Sequence, residues 1–280
     1  AFAALASESR LLIQADGSVK IVAPQMLGRL HLDASSDLGD NPSPAQVILP
    51  IAQQPALLAF TASGRVGLLR WEFAGQQPGN LERFLPDSLD GERVVQVLPL
   101  PTEAGSSLGL LSSDGRFKRL PMEEFQELSG RATTVLKLKD GVELKRVVSC
   151  QDDQEVVVAS STGRMLRLNL NEANLPLMGR AAQGPMLMRL LPGETVVGAA
   201  CVPSPPDDSP AEDQATVVLA TAGGQLKRLL VSSLRPCQRG DMGQIGLRLQ
   251  QRGDALIDLQ GAESTVMSIL TSKGLSGRID

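Results

Sequence analysis

Any chemistry in this 280-residue chain falls to arginine and lysine, because the other reactive side chains are scarce. There is no Tyr, one His (His31) and three Cys (Cys150, Cys201, Cys237). A zinc-type centre needs about four clustered N or S ligands, and no Cys/His cluster supplies them, so no metal site is expected. His31 lies in a strand-like Leu-His-Leu-Asp context and reads as an ordinary strand residue rather than an acid–base catalyst. The carboxylates are scattered rather than paired. The glycines of GRATTVLKLKDG and AGGQLK lack the strand–loop–helix setting of a phosphate loop. No catalytic residue and no cofactor are expected in this segment.

What recurs is basic, and it recurs beside glycines. Arg65 and Arg70, then Arg116, Lys118 and Arg119, then Arg164 and Arg167, then Lys227 and Arg228, and finally Arg278 each follow a Thr/Ser/Ala/Gly-Gly turn. A second series, Gly130-Arg131, Gly179-Arg180 and Arg239-Gly240, precedes a further strand in successive units. Alternation alone would put a long cation on the solvent face of each hairpin. It accounts less well for the return of the Gly-Arg loop. Repeated loops of a ring fall on one rim, where their charges form a curved track. Such a track suits duplex phosphates, which require no base reading and release counterions on binding. The candidate contacts are Arg119, Arg131, Arg164, Arg167, Arg180, Lys227, Arg228, Arg235, Gln238, Arg239 and Arg248.

Net charge is −4 and the pI about 5.2, yet the basic groups are segregated. Residues 221–252 hold Lys227, Arg228, Arg235, Arg239, Arg248 and Arg252 against Asp241 alone, and residues 160–191 hold four Arg against Glu172. Residues 33–55 carry Asp33, Asp37 and Asp40 with no basic partner.

The elements that must position these residues are short strands. The stretch from Glu155 to Val197 shows the unit: a β-branched strand, a turn at Thr162-Gly163, a second strand through Arg164 and Arg167, a Gly-rich basic loop, and an alternating run Met186 to Leu190. The same strand–turn–strand signature surrounds Gly17, Gly64, Gly115, Gly163, Gly224 and Gly274, at intervals of 47, 51, 48, 61 and 50 residues. The long interval contains an acidic, Pro-rich insertion, 203–213 (PSPPDDSPAED), whose removal restores a period near 50. Four strands per 50 residues predict an all-β, propeller-like ring of five to six four-stranded blades. One domain, 1–280, is expected, with repeats at about 8–55, 56–104, 105–152, 153–202, 214–262 and, in part, 264–280. Closing strands RVVQVLPL, RVVSC and VVGAAC place Cys150 and Cys201 at matching positions. Met122 to Leu128, after Pro121, is expected to make a short helical turn.

Hydrophobic residues make up 42% of the chain and aromatics 2%, so the core must be Leu, Val, Ile and Ala. No apolar run approaches the roughly 18–20 residues that span a bilayer, and AFAALASESR has no basic region ahead of its apolar stretch. Three Cys without metal spacing fit a reducing cytoplasm. The first residue is not Met, and the last repeat stops soon after its turn, which reads as a segment of a larger protein.

Three stretches carry a resemblance: SSDGRFKRLPMEEFQELSGRATTV, SSTGRMLRLNLNEANLPLMGRAAQG and TAGGQLKRLLVSSLRPCQRGDMGQIGLRL. With the six hairpins, they resemble the C-terminal β-pinwheel domain of the A subunit of bacterial type IIA topoisomerases, DNA gyrase and topoisomerase IV. The resemblance implies a domain that binds and bends or wraps double-stranded DNA and presents it for ATP-dependent strand passage and control of supercoiling. It implies as partners a breakage–reunion domain of the same polypeptide, which carries the catalytic tyrosine, and the ATPase subunit of the holoenzyme, in the cytoplasm and away from membrane. Gyrase carries a Q-R-R-G-G-K-G box in its first blade. Here the first-repeat loop is acidic (Asp37-Leu38-Gly39-Asp40), and the nearest likeness is Gln238-Arg239-Gly240-Asp241-Met242-Gly243 in the fifth repeat. The alternative from a different class is a propeller that serves as a protein-interaction scaffold without binding DNA.

Overall fold

A computed structural model describes residues 9–14, 17–23, 25, 45–50, 56–73, 79–126, 128, 130–204, 214–262, 267–270 and 276–279. The expectations for His31, for the acidic 37–40 loop and for residues 205–213 of the insertion lie outside the described residues. Across the described residues the chain is all-β, with short 3₁₀ turns between strands; one of them, Met122–Phe125, follows Pro121. Each repeat opens with an antiparallel hairpin flanked by a later strand of the same repeat. In the first sheet β1 (Arg10–Gln14) pairs with β2 (Ser18–Val22) and with β3 (Ala45–Pro50). In the second, β4 (Leu57–Thr61) pairs with β5 (Arg65–Leu68) and β7 (Val94–Pro99). The pattern repeats for β8 (Ser106–Ser112), β9 (Phe117–Pro121) and β11 (Leu144–Gln151), and again for β12 (Gln154–Ser160), β13 (Arg164–Asn169) and β14 (Val196–Pro203). The fifth sheet joins β15 (Thr216–Thr221), β16 (Leu226–Leu230) and β18 (Leu256–Gly261), and β19 (Met267–Leu270) pairs with β20 (Ser276–Ile279).

The fourth strand is where the structure departs from the sequence reading, which assigned four strands to each repeat's own blade. The strand after the Gly-rich loop crosses to the preceding blade. Gly79–Asn80 (β6), from the second repeat, pairs with β2; Thr133–Thr134 (β10), from the third, pairs with β5; Gln244–Ile245 (β17), from the fifth, pairs with β13. Met186, expected within a strand to Leu190, makes a single bridge to Arg116 on the third blade.

The hairpin glycine anchors this exchange. Gly64, Gly115 and Gly163 have φ of 80°, 85° and 83°, the left-handed region that favours glycine. In each, the carbonyl turned outward by that conformation accepts two amides of the incoming segment. Gly64 O takes Val135 N and Leu136 N, Gly115 O takes Leu187 N and Met188 N, and Gly163 O takes Gly246 N and Leu247 N, all at 2.9–3.1 Å. A Cβ at these three positions would overlap the carbonyl oxygens of Leu136, Met188 and Leu247. Glycine is therefore required twice over, by the turn and by the strand that lands on it.

Blades stack face to face, so both faces of an inner strand are covered. On β12, Val156 and Val158 join Leu111, Phe117 and Cys150 of the third blade in one cluster. Val157 and Ala159 point the other way, into a cluster with Val217, Leu219 and Leu229 of the fifth. Such two-sided burial explains why EVVVAS reads as a continuous apolar run. Cys150 and Cys201 meet across the third and fourth blades with Sγ atoms 3.1 Å apart, and neither is in a disulfide. The contact with Cys150, and then burial, pushes the Cys201 thiol well above its ordinary range, so it is not a thiolate nucleophile at neutral pH.

Candidate nucleic-acid interface

The recurring cations divide into three groups by their offset from the turn glycine, and the groups do different work. One residue after the glycine, the arginine is a clamp on its own turn. Arg65 pairs with Glu92, which also accepts Thr61 Oγ1 at 2.6 Å and the Ser63 hydroxyl. Arg164 pairs with Glu194, which accepts the Ser160 and Thr162 hydroxyls and, at 2.8 Å, the amide of Leu191. Burial alone would raise the Glu194 carboxyl; the bonds from Arg164, Leu191, Ser160 and Thr162 outweigh it and bring the pKa down to about 2. Arg116 lies 3.4 Å from Asp114 and donates to Gly184 O at 3.0 Å.

Four residues after the glycine, the arginine ties its blade to the following repeat. Arg119 is 1% exposed: Nη1 donates to Leu175 O at 3.1 Å, Nη2 to Asp152 Oδ1 at 2.5 Å and Nε to Ser107 Oγ at 3.3 Å, while its own carbonyl accepts Met178 N at 2.9 Å. Arg167 repeats the arrangement one blade on. It holds Glu155 through Nε at 2.6 Å and Nη2 at 2.8 Å, donates to Leu234 O at 3.0 Å, and accepts Cys237 N at 2.8 Å. Beside Arg119, the buried Lys118 donates to Val135 O, Arg180 O and Ala182 O at 2.7, 2.9 and 3.1 Å. Its burial, partly opposed by the charge of Glu124, lowers its pKa to about 8. Arg119, Arg164 and Arg167 were expected on the DNA face. The structure turns all three inward and saturates them with protein acceptors, out of reach of a phosphate.

The third group is exposed. Arg131, Lys227, Arg228, Arg235, Gln238, Arg239 and Arg248 all face solvent, as do Arg189 and Arg252, which the sequence reading left out of its candidate contacts. Arg180 is half-buried, with Nε 2.9 Å from Glu124 Oε2. Among the described residues, no carboxylate lies within ion-pair range of Lys227, Arg228, Arg235, Arg239, Arg248 or Arg252. Consecutive Gly-rich loops also touch. Gly240 N donates to Leu187 O at 2.9 Å, Arg189 N donates to Asp241 O at 2.9 Å, and Arg239 Nη1 reaches Asn174 O at 3.0 Å. The loop of the fourth repeat thus runs directly into that of the fifth. Asp241 folds onto its own loop, accepting Gln238 N at 2.8 Å, which leaves the neighbouring Arg239 as the outward charge.

The turn clamps were missed in the sequence, although a signal existed. Glu92, Glu194 and Asp254 each follow a glycine (Gly91, Gly193, Gly253) with φ between 73° and 84°, at a similar place before the closing strand of three repeats. A recurring acid so placed implies a recurring intrablade partner. Among the described residues no group of three or more His, Cys, Asp or Glu is arranged to hold a metal ion, and no helix is long and apolar enough to cross a membrane.

Comparison with known proteins bears on this arrangement. A family model described as DNA gyrase C-terminal domain, beta-propeller, matches residues 110–151, 154–203 and 215–260. The A subunit of DNA topoisomerase 4 from Synechocystis sp. is 32% identical over 177 residues, covering 59% of this chain and 18% of that protein. The A subunit of DNA gyrase from Mycolicibacterium smegmatis is 25% identical over 228 residues, covering 78% and 26% respectively. The chain therefore spans about a fifth to a quarter of the length of these relatives. Among solved structures, the C-terminal domain of DNA topoisomerase IV superposes with a TM-score of 0.75 at 18% identity, over 99% of this chain and 84% of that one, a likeness of fold.

Proposed function

We propose, from the premise that the repeats between residues 110 and 260 belong to the DNA gyrase C-terminal β-propeller family, that this chain binds duplex DNA along its Gly-Arg loops and bends it. The observation that carries the reading is the division of labour among the cations. Those beside the hairpin turns in the third and fourth repeats are spent inside the fold, whereas those of the contiguous 187–189 and 235–248 segments face solvent with no acid beside them. A protein of net charge −4 that leaves its later loops uncompensated has a local field suited to a polyanion. Arg131, Arg180, Arg235, Arg239 and Arg248, with Gln238, would take phosphates, Arg180 by exchanging Glu124 for one. Contacts of this kind position a duplex without reading its sequence. A convex series of loops stabilises a bent path, because each contact added along the curve offsets part of the elastic cost of bending.

On this reading the chain is the DNA-handling domain of a type IIA topoisomerase, in the polypeptide that also carries the breakage–reunion domain. It works in the cytoplasm beside that domain and the ATPase subunit, and needs no cofactor of its own. The test is resonance energy transfer between dyes at the two ends of a duplex of about 40 base pairs. Binding should bring the ends together in proportion to occupancy, for unrelated sequences alike. A duplex that binds without any change in end-to-end distance would remove bending, and absence of binding at low salt would remove DNA altogether.

A further inference from the structure

The Lys-Arg pair of the hairpin is a docking device, and in the fifth blade it faces solvent. In the third blade Lys118 and Arg119 stand three and four residues after Gly115, and both are buried under the connecting segment of the fourth repeat. That segment, 175–184, offers Leu175 O to the Arg119 guanidinium, Met178 N to the Arg119 carbonyl, and Arg180 O and Ala182 O to Lys118. Gly184 presses so closely on Lys118 that a Cβ there would collide with it. The fourth blade uses the same grip: Leu234 O meets the Arg167 guanidinium and, three residues later as before, Cys237 N meets the Arg167 carbonyl.

Lys227 and Arg228 stand three and four residues after Gly224 and complete the series. Both are exposed, as is Leu226 beside them, and neither has a hydrogen-bond partner among the described residues. The edge of β16 carries no fourth strand among the described residues, in contrast to β2, β5 and β13. Next to it lies an open cleft of about 540 Å³ lined by Gln225, Lys227, Ile245, Leu247 and Arg248, with Ile245 65% exposed. A sheet edge, an apolar wall and two donors placed for backbone carbonyls match what the third blade offers its occupant.

We propose that Lys227, Arg228 and the edge of β16 form a seat for an extended segment with the pattern Leu-x-x-apolar followed by a Gly-Arg loop. Its occupant is the connecting segment of the repeat that β19 and β20 open. The leucine lies twelve residues after the turn glycine in the fourth repeat and ten in the fifth, so its counterpart in that repeat falls just past Asp280. The seat favours this occupant over a phosphate strand because the equivalent pairs grip peptide carbonyls and amides on their own blades.

A copy of residues 170–188 joined to the C-terminus by a flexible linker of about 20 residues tests this. Tethering raises the segment's effective concentration to about the millimolar range. Hydrogen exchange of the amides from 225 to 229, and of the added Met178 copy, should slow at least tenfold. That protection should disappear in the Lys227→Ala/Arg228→Ala variant, whose residues are exposed and whose blade should fold unchanged. Exchange unaltered by the tether would overturn the proposal, as would protection that survives the double substitution. A third outcome would also overturn it: a short duplex DNA protecting these amides in a Lys227- and Arg228-dependent way while the tethered segment does not, which would make the pair a phosphate site.

Discussion

Gly163 and Gly224 occupy the same turn with the same backbone, φ 83° and 87°, but only one has a strand landing on it. Replacing each by alanine therefore separates the cost of the turn from the cost of the strand exchange. At Gly224 the new Cβ meets no described atom within 4 Å, so the penalty is the left-handed conformation alone, about 1–2 kcal/mol. At Gly163 the same strain is joined by a Cβ overlapping Leu247 O, which displaces the incoming segment. The bonds to Gly163 O from Gly246 N (3.0 Å) and Leu247 N (3.1 Å) then weaken, at about 1 kcal/mol each. Leu247, 2% exposed, loses part of a burial worth about 1.5–3 kcal/mol. Gly163→Ala should thus cost about 3–6 kcal/mol, exceeding Gly224→Ala by about 2–4. Urea unfolding gives the totals, and hydrogen exchange at the Gly246 and Leu247 amides reports the exchange junction directly, because repeats open locally. Equal destabilisation by the two substitutions, or unchanged exchange at Gly246 and Leu247 in Gly163→Ala, would refute the reasoning.

Arg167→Ala leaves Glu155 buried without its partner and should destabilise by about 3–5 kcal/mol in urea titration, with much of the loss recovered when Glu155→Gln is added. The Glu194 carboxyl is depressed in the fold to about 2, so its stabilisation is present above its unfolded value of 4.5 and is lost as pH falls from there toward 2. It amounts to about 3 kcal/mol, and Glu194→Gln should flatten acid unfolding in that window. Lys118 is depressed from 10.5 to about 8, so the unfolded chain binds its proton more tightly and stability should rise from pH 8 to 10.5. A Lys118→Met variant should lack that rise, which a pH series of thermal melts would show.

The period, the hairpins and the all-β class were legible because each rests on local chemistry: a glycine in a tight turn and apolar alternation on either side. The partner of the fourth strand was not, since Thr133–Thr134 and Gln244–Ile245 carry no mark of which blade they join. What selects the blade is the outward carbonyl of Gly64 or Gly163, a backbone group that is the same in every sequence. The site divided in the same way. Arg235, Arg239 and Arg248 could be read from their loop context. Arg119 and Arg167 looked alike in sequence to the exposed Arg228, because the pattern Gly-x-x-x-Arg records a position on the hairpin and not whether a following repeat covers it. The acids that neutralise Arg65 and Arg164 sit 27 and 30 residues away, beyond the reach of a hairpin-by-hairpin reading.

The central claim is that the exposed loop cations, and not the hairpin arginines, meet DNA. The salt dependence of duplex binding tests it most directly, because the log–log slope counts neutralised phosphates at about 0.9 per contact. Arg235→Ala/Arg239→Ala/Arg248→Ala should bind more weakly to all sequences and flatten the slope by about two to three units, with thermal stability unchanged. A slope near zero for the unmodified chain, or a triple variant whose slope matches it, would contradict the account.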